Sequence, residues 1–205
     1  MLERICHAAT VQAATLPRDH PVRAMIWGYS KMPARTHLTP LQKLIECFKI
    51  RPGRIETIMP DPRPPTYRRS FSTTIAETKE TSITEEGKDK VDIRIYTDGS
   101  GYKGNVGTAA VLYRKGVEEP EQILRYHFGL LTKHTTYKGK AVGSILTAWM
   151  LQGRTEVGKA TVTSYTDSQA FIRATGARKS KLGQYLISEY LRLTEVMNNS
   201  TDIPT

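Results

Sequence analysis

The sequence predicts a mixed α/β fold, and two observations carry the prediction. Three successive runs near the middle of the chain have strand character, and a helical pattern, a short strand and a further helix follow them. The order β-β-β-α-β-α places helices against a mixed sheet whose first three strands form an antiparallel meander. With 205 residues and 39% hydrophobic content, the chain is long enough to bury a core without disulfides.

The N-terminal part, residues 1–59, reads as a helical connector. One helix is predicted over residues 1–15, because an apolar stripe runs along it (Leu2, Ile5, Ala9 and Val11), and the Leu16-Pro17 pair ends it. A second helix is predicted from Thr39 to Phe48, with Thr39 as its cap and Pro40 in its first turn.

Residues 60–90 are predicted to form a linker or an extended strap. Four prolines fall within six residues at its start, and Ser/Thr-rich and then mixed-charge sequence follows. Such a composition buries little apolar surface, so a boundary is expected here.

The third part, residues 91–200, carries the sheet. Val91, Ile93 and Ile95 alternate with polar residues and lead into a predicted turn at 97–101. Two further strands are predicted, Gly107 to Tyr113 and Ile123 to Leu130.

The second half of this part adds two helices and one strand. A helix is predicted from Lys138 to Leu151, with Trp149 on its apolar face, and a strand from Ala160 to Thr166. A last helix is predicted from Lys181 to Met197, with Leu182 and Tyr185 turned inward.

Composition excludes several classes of protein. No apolar run is long enough for a transmembrane helix, and the N-terminus lacks the pattern of a secretory signal, so an intracellular protein without membrane contact is expected. The two cysteines, Cys6 and Cys47, support neither a disulfide scaffold nor a zinc site. The net charge of +10 points weakly to a polyanionic partner such as nucleic acid.

Two predicted strands run into the same tripeptide, Tyr96-Thr97-Asp98 and Tyr165-Thr166-Asp167. If the strands are neighbours, Asp98 and Asp167 lie side by side, and paired carboxylates of this kind hold a hard cation such as Mg²⁺. The alternative is that each aspartate caps a turn or a helix start.

The runs 93–100, 106–113, 134–137 and 165–170 together resemble a type 1 ribonuclease H domain. The version most similar to them is attached to the reverse transcriptases of non-LTR retrotransposons common in fungi. The resemblance implies a ribonuclease H-like mixed sheet and two-metal hydrolysis of the RNA strand of an RNA–DNA hybrid. It also implies that Asp98 and Asp167 are catalytic residues and Mg²⁺ ligands.

The sequence departs from the family at two carboxylates. The family places a glutamate three residues after Tyr137, where this chain has Lys140, and no final strand or fourth carboxylate is recognised before Thr205. A lysine has donors but no acceptor, and two unit charges about 4 Å apart repel by about 4 kcal/mol at an effective dielectric of 20. Mg²⁺ binding and cleavage are therefore expected to be impaired.

Lys140 also suggests a different arrangement. Its ammonium could bridge Asp98 and Asp167 in place of a metal ion, or it could be a solvated residue in the first turn of the helix. The sequence leaves both open.

Nucleic-acid contacts are predicted from two places. Backbone amides at Gly99 and Ser100, and the side chains of Arg178, Lys179 and Lys181, are expected to face a hybrid. The alternative is a solvated charged surface.

Three functions follow from the sequence. The first is a degenerate, nucleic-acid-binding ribonuclease H-like domain with impaired activity; the second is an active Mg²⁺-dependent ribonuclease; the third is a non-catalytic scaffold or interaction module. A sheet without its final strand presents an unpaired edge, so self-association is also expected.

Overall fold

The computed structural model describes residues 1–29, 38–61, 63–64, 66–152, 154, 160–177 and 182–199. The chain divides into two compact units. One comprises Met1–Pro62 and Lys179–Gln184, and the other comprises Arg63–Arg178 and Tyr185–Thr205. Arg178, Lys179 and Lys181, three of the predicted nucleic-acid contacts, lie outside the described residues.

The first unit is helical, which confirms the predicted N-terminal helices. Its helices are α1 (Leu2–Thr15), α2 (Pro21–Tyr29) and α3 (Pro40–Cys47), with a short 3₁₀ turn at Pro52–Arg54. Thr39 caps α3 in a reciprocal box with Gln42, which satisfies two backbone amides at the helix start. Helix α2 was not predicted, although it supplies Ile26 to the core that also contains Ala14 and Ile45.

The second unit contains a four-stranded mixed sheet, as the sequence predicted. Its strands are β1 (Ile93–Tyr102), β2 (Asn105–Arg114), β3 (Gln122–Leu130) and β4 (Val162–Thr166). Their order across the sheet is β3-β2-β1-β4, with β1, β2 and β3 antiparallel and β4 parallel to β1.

The predicted turn at residues 97–101 is wrong. Strand β1 continues to Tyr102, which pairs with Asn105 of β2. The chain reverses instead at Lys103 and Gly104, whose φ angles are 45° and 75°. Two positive φ values match the primed turns that suit the twist of a two-residue hairpin.

Helix α5 (Thr136–Leu151) crosses one face of the sheet, and its buried face differs from the predicted one. Trp149 is 59% exposed, so the prediction that it turns inward is wrong. The buried positions are mostly small residues: Gly139, Ala141, Gly143, Ser144, Thr147, Ala148, Met150 and Leu151. Small side chains let the helix approach the sheet closely, and the bulky indole is left on the outer side.

Among the described residues, this unit has three further helices: α4 (Lys79–Lys88), α6 (Gln169–Gly176) and α7 (Gln184–Asn199), of which Gln184 is assigned to the first unit. Helix α4 lies in the region read as a linker, and α6 was not predicted. The prediction that Leu182 and Tyr185 turn inward is wrong, because these residues are 62% and 49% exposed. The core is closed instead by a set of apolar residues of α5, α6 and α7: Ala141, Phe171, Leu186, Ile187 and Leu191.

Candidate functional site with two carboxylates and one lysine

Asp98 and Asp167 lie at corresponding points of two adjacent strands. The parallel register pairs Tyr96 with Tyr165 and Thr97 with Thr166, so each aspartate is the next residue along its chain. Neighbouring strands lie about 4.8 Å apart, which places the two residues side by side, where β4 ends next to the middle of β1. Both aspartates are exposed, and the two tripeptides that precede them lie on neighbouring strands, although β1 continues past Asp98 to Tyr102.

Local hydrogen bonds fix the backbone at both positions. The Thr108 hydroxyl donates to the Asp98 carbonyl oxygen at 2.7 Å, and the Thr97 hydroxyl donates to the Tyr165 carbonyl oxygen at 3.3 Å. Ser168 caps helix α6 by accepting a hydrogen bond from the Phe171 amide. Asp167 is therefore held between the end of β4 and the start of α6.

A close contact between two glycines, Gly99 of β1 and Gly139 of α5, brings the helix next to the two aspartates. A Cβ atom added to Gly99 would lie 2.3 Å from both the Gly139 carbonyl carbon and the Lys140 amide nitrogen. Such distances are far below van der Waals contact, so only glycine fits at position 99. This packing gives Gly99 a structural role and sets the first turn of α5 beside the carboxylates.

The side chain of Lys140 occupies the space that this packing creates. Its ammonium donates a hydrogen bond to Asp167 Oδ2 and forms an ion pair with that carboxylate. The Lys140 side chain is only 25% exposed, compared with 60% for Asp167. Across the part of the chain that the structure describes, no ion pair joins Lys140 to Asp98, so the contact involves one carboxylate of the two.

The donor set does not fit a divalent cation. Mg²⁺ takes oxygen ligands in near-octahedral geometry, whereas the third side chain here is an ammonium with donors only. One Asp167 oxygen already accepts from Lys140. Among the described residues, no group of three or more His, Cys, Asp or Glu side chains is placed to hold a metal.

Two of the predicted nucleic-acid contacts lie within the described residues, and one of them is buried and the other exposed. Gly99 is buried beneath α5, and Ser100 is exposed on the same strand. Both belong to the β1–β2 ladder, opposite Thr108 and Gly107.

Sequence reasoning missed Lys138 as a candidate contact residue. Its ammonium lies 5.9 Å from the ring centroid of Phe128 and 5.9 Å from that of Tyr185. At the β1–β2 hairpin, the Lys103 ammonium similarly lies 5.3 Å from the Tyr102 ring. Lysines set against aromatic rings are typical of surfaces that bind phosphates and stack bases. The available signal was the pair of lysines at 138 and 140 in the first turns of the predicted helix.

No helix among the described ranges is both long and apolar enough to cross a membrane.

Comparison with protein-family models finds no match, and comparison with curated proteins finds none either. Solved structures do match. An RNase H1 from compost, LC11, solved with an RNA/DNA hybrid, is 16% identical with a TM-score of 0.41, and the match covers 51% of this chain and 77% of that one.

Two further solved structures match with similar identity and TM-score. The N-terminal RNase H domain of a Mycobacterium tuberculosis protein, solved as a maltose-binding-protein fusion, is 18% identical with a TM-score of 0.41; 52% of this chain and 76% of that one are covered. The protease-reverse transcriptase of prototype foamy virus is 18% identical with a TM-score of 0.40. That match covers 87% of this chain but only 25% of the viral protein.

Proposed function

We propose that the second unit is a ribonuclease H-like domain that binds nucleic acid, with the RNA–DNA hybrid as its ligand, and that its nuclease activity is impaired. The observation that carries the proposal is the carboxylate edge, defined as Asp98, Asp167 and Lys140. Asp98 on β1 and Asp167 after β4 follow paired residues of adjacent parallel strands, and the Lys140 ammonium, at the position where the resemblance expects a glutamate, pairs with Asp167.

The chemistry of the edge supports weak or absent cleavage. Two-metal hydrolysis uses acidic ligands to hold the ions that activate water and stabilise the leaving oxygen. A lysine at position 140 removes one such ligand and adds a positive charge beside the remaining ones. Asp98 and Asp167 would hold Mg²⁺, and the Lys140 ammonium would weaken its binding.

Two lysines that lie against aromatic rings support binding. The Lys103 ammonium lies against the Tyr102 ring and the Lys138 ammonium against the Phe128 ring. Ser100 is exposed on β1. Phosphate contacts made by such ammonium groups release counterions, so affinity falls as salt rises.

A paired binding and cleavage assay tests the proposal. The full chain is mixed with an end-labelled RNA–DNA hybrid, and with duplex DNA of the same sequence as a control, at several salt concentrations with Mg²⁺ or Mn²⁺. We expect a salt-dependent mobility shift with the hybrid and no cutting of the RNA strand. Replacing Lys138 by Gln should weaken binding, because one ammonium is lost from the surface.

Two outcomes would favour the other functions. RNA cutting that is abolished by Asp98→Asn would identify an active ribonuclease and overturn the proposed impairment. Failure to bind either nucleic acid at low salt would favour a scaffold or interaction module.

The proposal extends to the origin of the domain and to its assembly. The motifs at 93–100 and 165–170 favour descent from a non-LTR retrotransposon polyprotein, which reverse-transcriptase sequence in the same genomic reading frame would test. Strand β4 pairs with β1 alone among the described strands, so its other edge is open to a second chain. Light scattering should then show dimers or larger species, and a monodisperse monomer would contradict self-association.

A further inference from the structure

The Lys140 ammonium occupies a position where a cation is electrostatically needed. Asp98 and Asp167 follow paired residues of adjacent parallel strands, and two carboxylates so placed repel one another. A nearby positive charge relieves this repulsion whether it is a metal ion or an ammonium. The structure supplies the ammonium, which bonds to Asp167 Oδ2.

The lysine is held at the edge by the packing of its helix. The backbone of Gly139 and Lys140 lies directly against Gly99, so the first turn of α5 packs on β1 without an intervening side chain. Three quarters of the Lys140 side chain is covered, although its partner carboxylate is largely open to solvent. An ammonium on a covered stem is a fixed part of the edge rather than a mobile surface charge.

The same arrangement opposes a divalent ion. An ion approaching Asp167 meets an ammonium already bonded to that carboxylate, and the repulsion between them adds to the loss of an oxygen ligand. Removing water from Mg²⁺ is difficult even at complete sites, so two carboxylates with an adjacent ammonium form a poor one.

We propose that Lys140 is a built-in counter-ion that replaces the divalent cation at the carboxylate edge, so that the domain is stable, and binds a polyanion, without divalent metal. The part concerning polyanions deepens the proposed function and rests on it. The part concerning the metal does not, because it depends only on Lys140, Asp98 and Asp167.

Metal binding by two charge-matched variants tests the counter-ion. Mn²⁺ is titrated into the wild-type chain, Lys140→Glu and Lys138→Glu at constant ionic strength, with calorimetry and thermal unfolding as the measurements. Lys138 is a matched control because it lies in the same helical turn and carries the same charge, but its ammonium lies over Phe128 and Tyr185 rather than on a carboxylate.

We expect no saturable Mn²⁺ binding by the wild type or by Lys138→Glu. Lys140→Glu should bind Mn²⁺ at least about tenfold more tightly, since an oxygen ligand replaces a repelling ammonium. Its melting temperature should rise with added Mn²⁺, because an ion that binds the folded state stabilises it. Equal binding by the two variants, or saturable binding by the wild type as tight as that of Lys140→Glu, would overturn the proposal.

A second variant guards against misfolding of Lys140→Glu, which crowds three carboxylates together. Lys140→Gln removes the ammonium without adding a charge, so it should melt lower than the wild type without metal and bind Mn²⁺ more tightly. Wild-type metal affinity in a folded Lys140→Gln would contradict the proposal. Circular dichroism establishes which variants are folded. If Lys140→Glu folds only when Mn²⁺ is present, that result would support the proposal.

Hybrid binding in EDTA and in MgCl₂, at matched ionic strength, tests the polyanion part. The wild type should bind within about twofold of the same affinity in both, because counterion release depends on its own cationic groups. A wild type that needs Mg²⁺ to bind would overturn the inference but leave the proposed function standing. No binding in either buffer would contradict the proposed function and the polyanion part together, and the Mn²⁺ titrations would still decide the counter-ion.

Discussion

At the scale of single residues, Glu121 shows how one carboxylate can join separate elements. Its Oε2 accepts from Arg114 Nε at 2.7 Å, and its Oε1 accepts from Arg154 Nη1 at 2.5 Å. Arg114 ends β2 and Arg154 follows α5, so the carboxylate ties the sheet to the helix that covers it. Hydrogen bonds from the two guanidinium groups lower the pKa of Glu121 from 4.5 to about 2.

This lowered pKa predicts an acid-sensitive contribution to stability. The bridge contributes fully above pH 4.5, the value of the free carboxyl group, and the contribution is lost as pH falls through about 2. Denaturant unfolding between pH 5 and about pH 2 should therefore show a smaller loss of stability for Glu121→Gln than for the wild type.

Glu118→Gln is the control for this measurement. Glu118 is exposed in the same loop and has no ion pair within the part of the chain that the structure describes. The Glu118→Gln variant should keep the wild-type pH dependence of stability. An equally reduced pH dependence in Glu118→Gln and Glu121→Gln would contradict the role given to the Arg114–Glu121–Arg154 bridge.

At the scale of elements, the contact between β1 and α5 determines where the functional side chains lie. Gly99 and Gly139 meet at backbone distance, and farther along α5 a Cβ on Gly143 would lie 2.7 Å from the Thr108 hydroxyl oxygen. The helix thus rests on the sheet through positions that have no side chain. Because α5 lies so close to β1, the Lys140 side chain reaches Asp167 at the end of β4.

Gly99→Ala should therefore destabilise the domain. The new methyl group would overlap backbone atoms that cannot move individually, so α5 must shift, and overpacking of this kind costs about 1–3 kcal/mol. The free energy of unfolding, measured with urea, should fall by that amount. The shift should also weaken the contact between Lys140 and Asp167.

Gly87→Ala is the matched control in α4. No heavy atom lies within 4 Å of its added Cβ, and alanine favours the helix, so a change from zero to about 1 kcal/mol of stabilisation is expected. A Gly99→Ala protein as stable as Gly87→Ala would show that α5 adjusts freely.

At the scale of the whole molecule, much of the region between 63 and 90 belongs to the second unit and is attached to it by specific contacts. Phe71 packs against the core of α5, α6 and α7, with its ring centroid 5.6 Å from that of Tyr190. Arg69 donates to the Thr175 hydroxyl at 2.9 Å.

The C-terminal end of α4 and the residue after it are joined to the sheet by tyrosine hydroxyls. Tyr96 donates to Glu86 at 2.6 Å and Tyr165 donates to Asp89 at 2.7 Å. Burial, and then the bond to Glu86, raise the pKa of Tyr96 to about 12. The two tyrosine rings stack with their centroids 5.0 Å apart, so the segment that precedes β1 is fixed to β1 and β4.

Phe71→Ala should lower the stability of the entire second unit. Phe71 is only partly buried, so we expect a loss of about 1–3 kcal/mol, below the cost of a fully buried phenylalanine. Ser72→Ala, at the exposed neighbouring position, should be neutral. Thermal unfolding of both variants distinguishes an attached strap, which gives the predicted difference, from an independent linker, which gives none.

The sequence by itself determined the elements whose signal is local. Alternating residues specify β1, Thr39 and Pro40 specify the start of α3, and the repeated tripeptides mark the two neighbouring strands that lead to Asp98 and Asp167. Lys140 was also recognisable, because its position relative to Tyr137 is a matter of spacing alone.

Only the tertiary structure decided features that depend on partners distant in sequence. Residues 97–101 resemble a turn but form a strand, because β2 supplies pairing partners as far as Tyr102. Trp149 resembles a core residue but is exposed, because glycine contacts set which face of α5 approaches the sheet. That Lys140 contacts Asp167 follows from the same approach of helix to strand, a distance that no local pattern of residues contains.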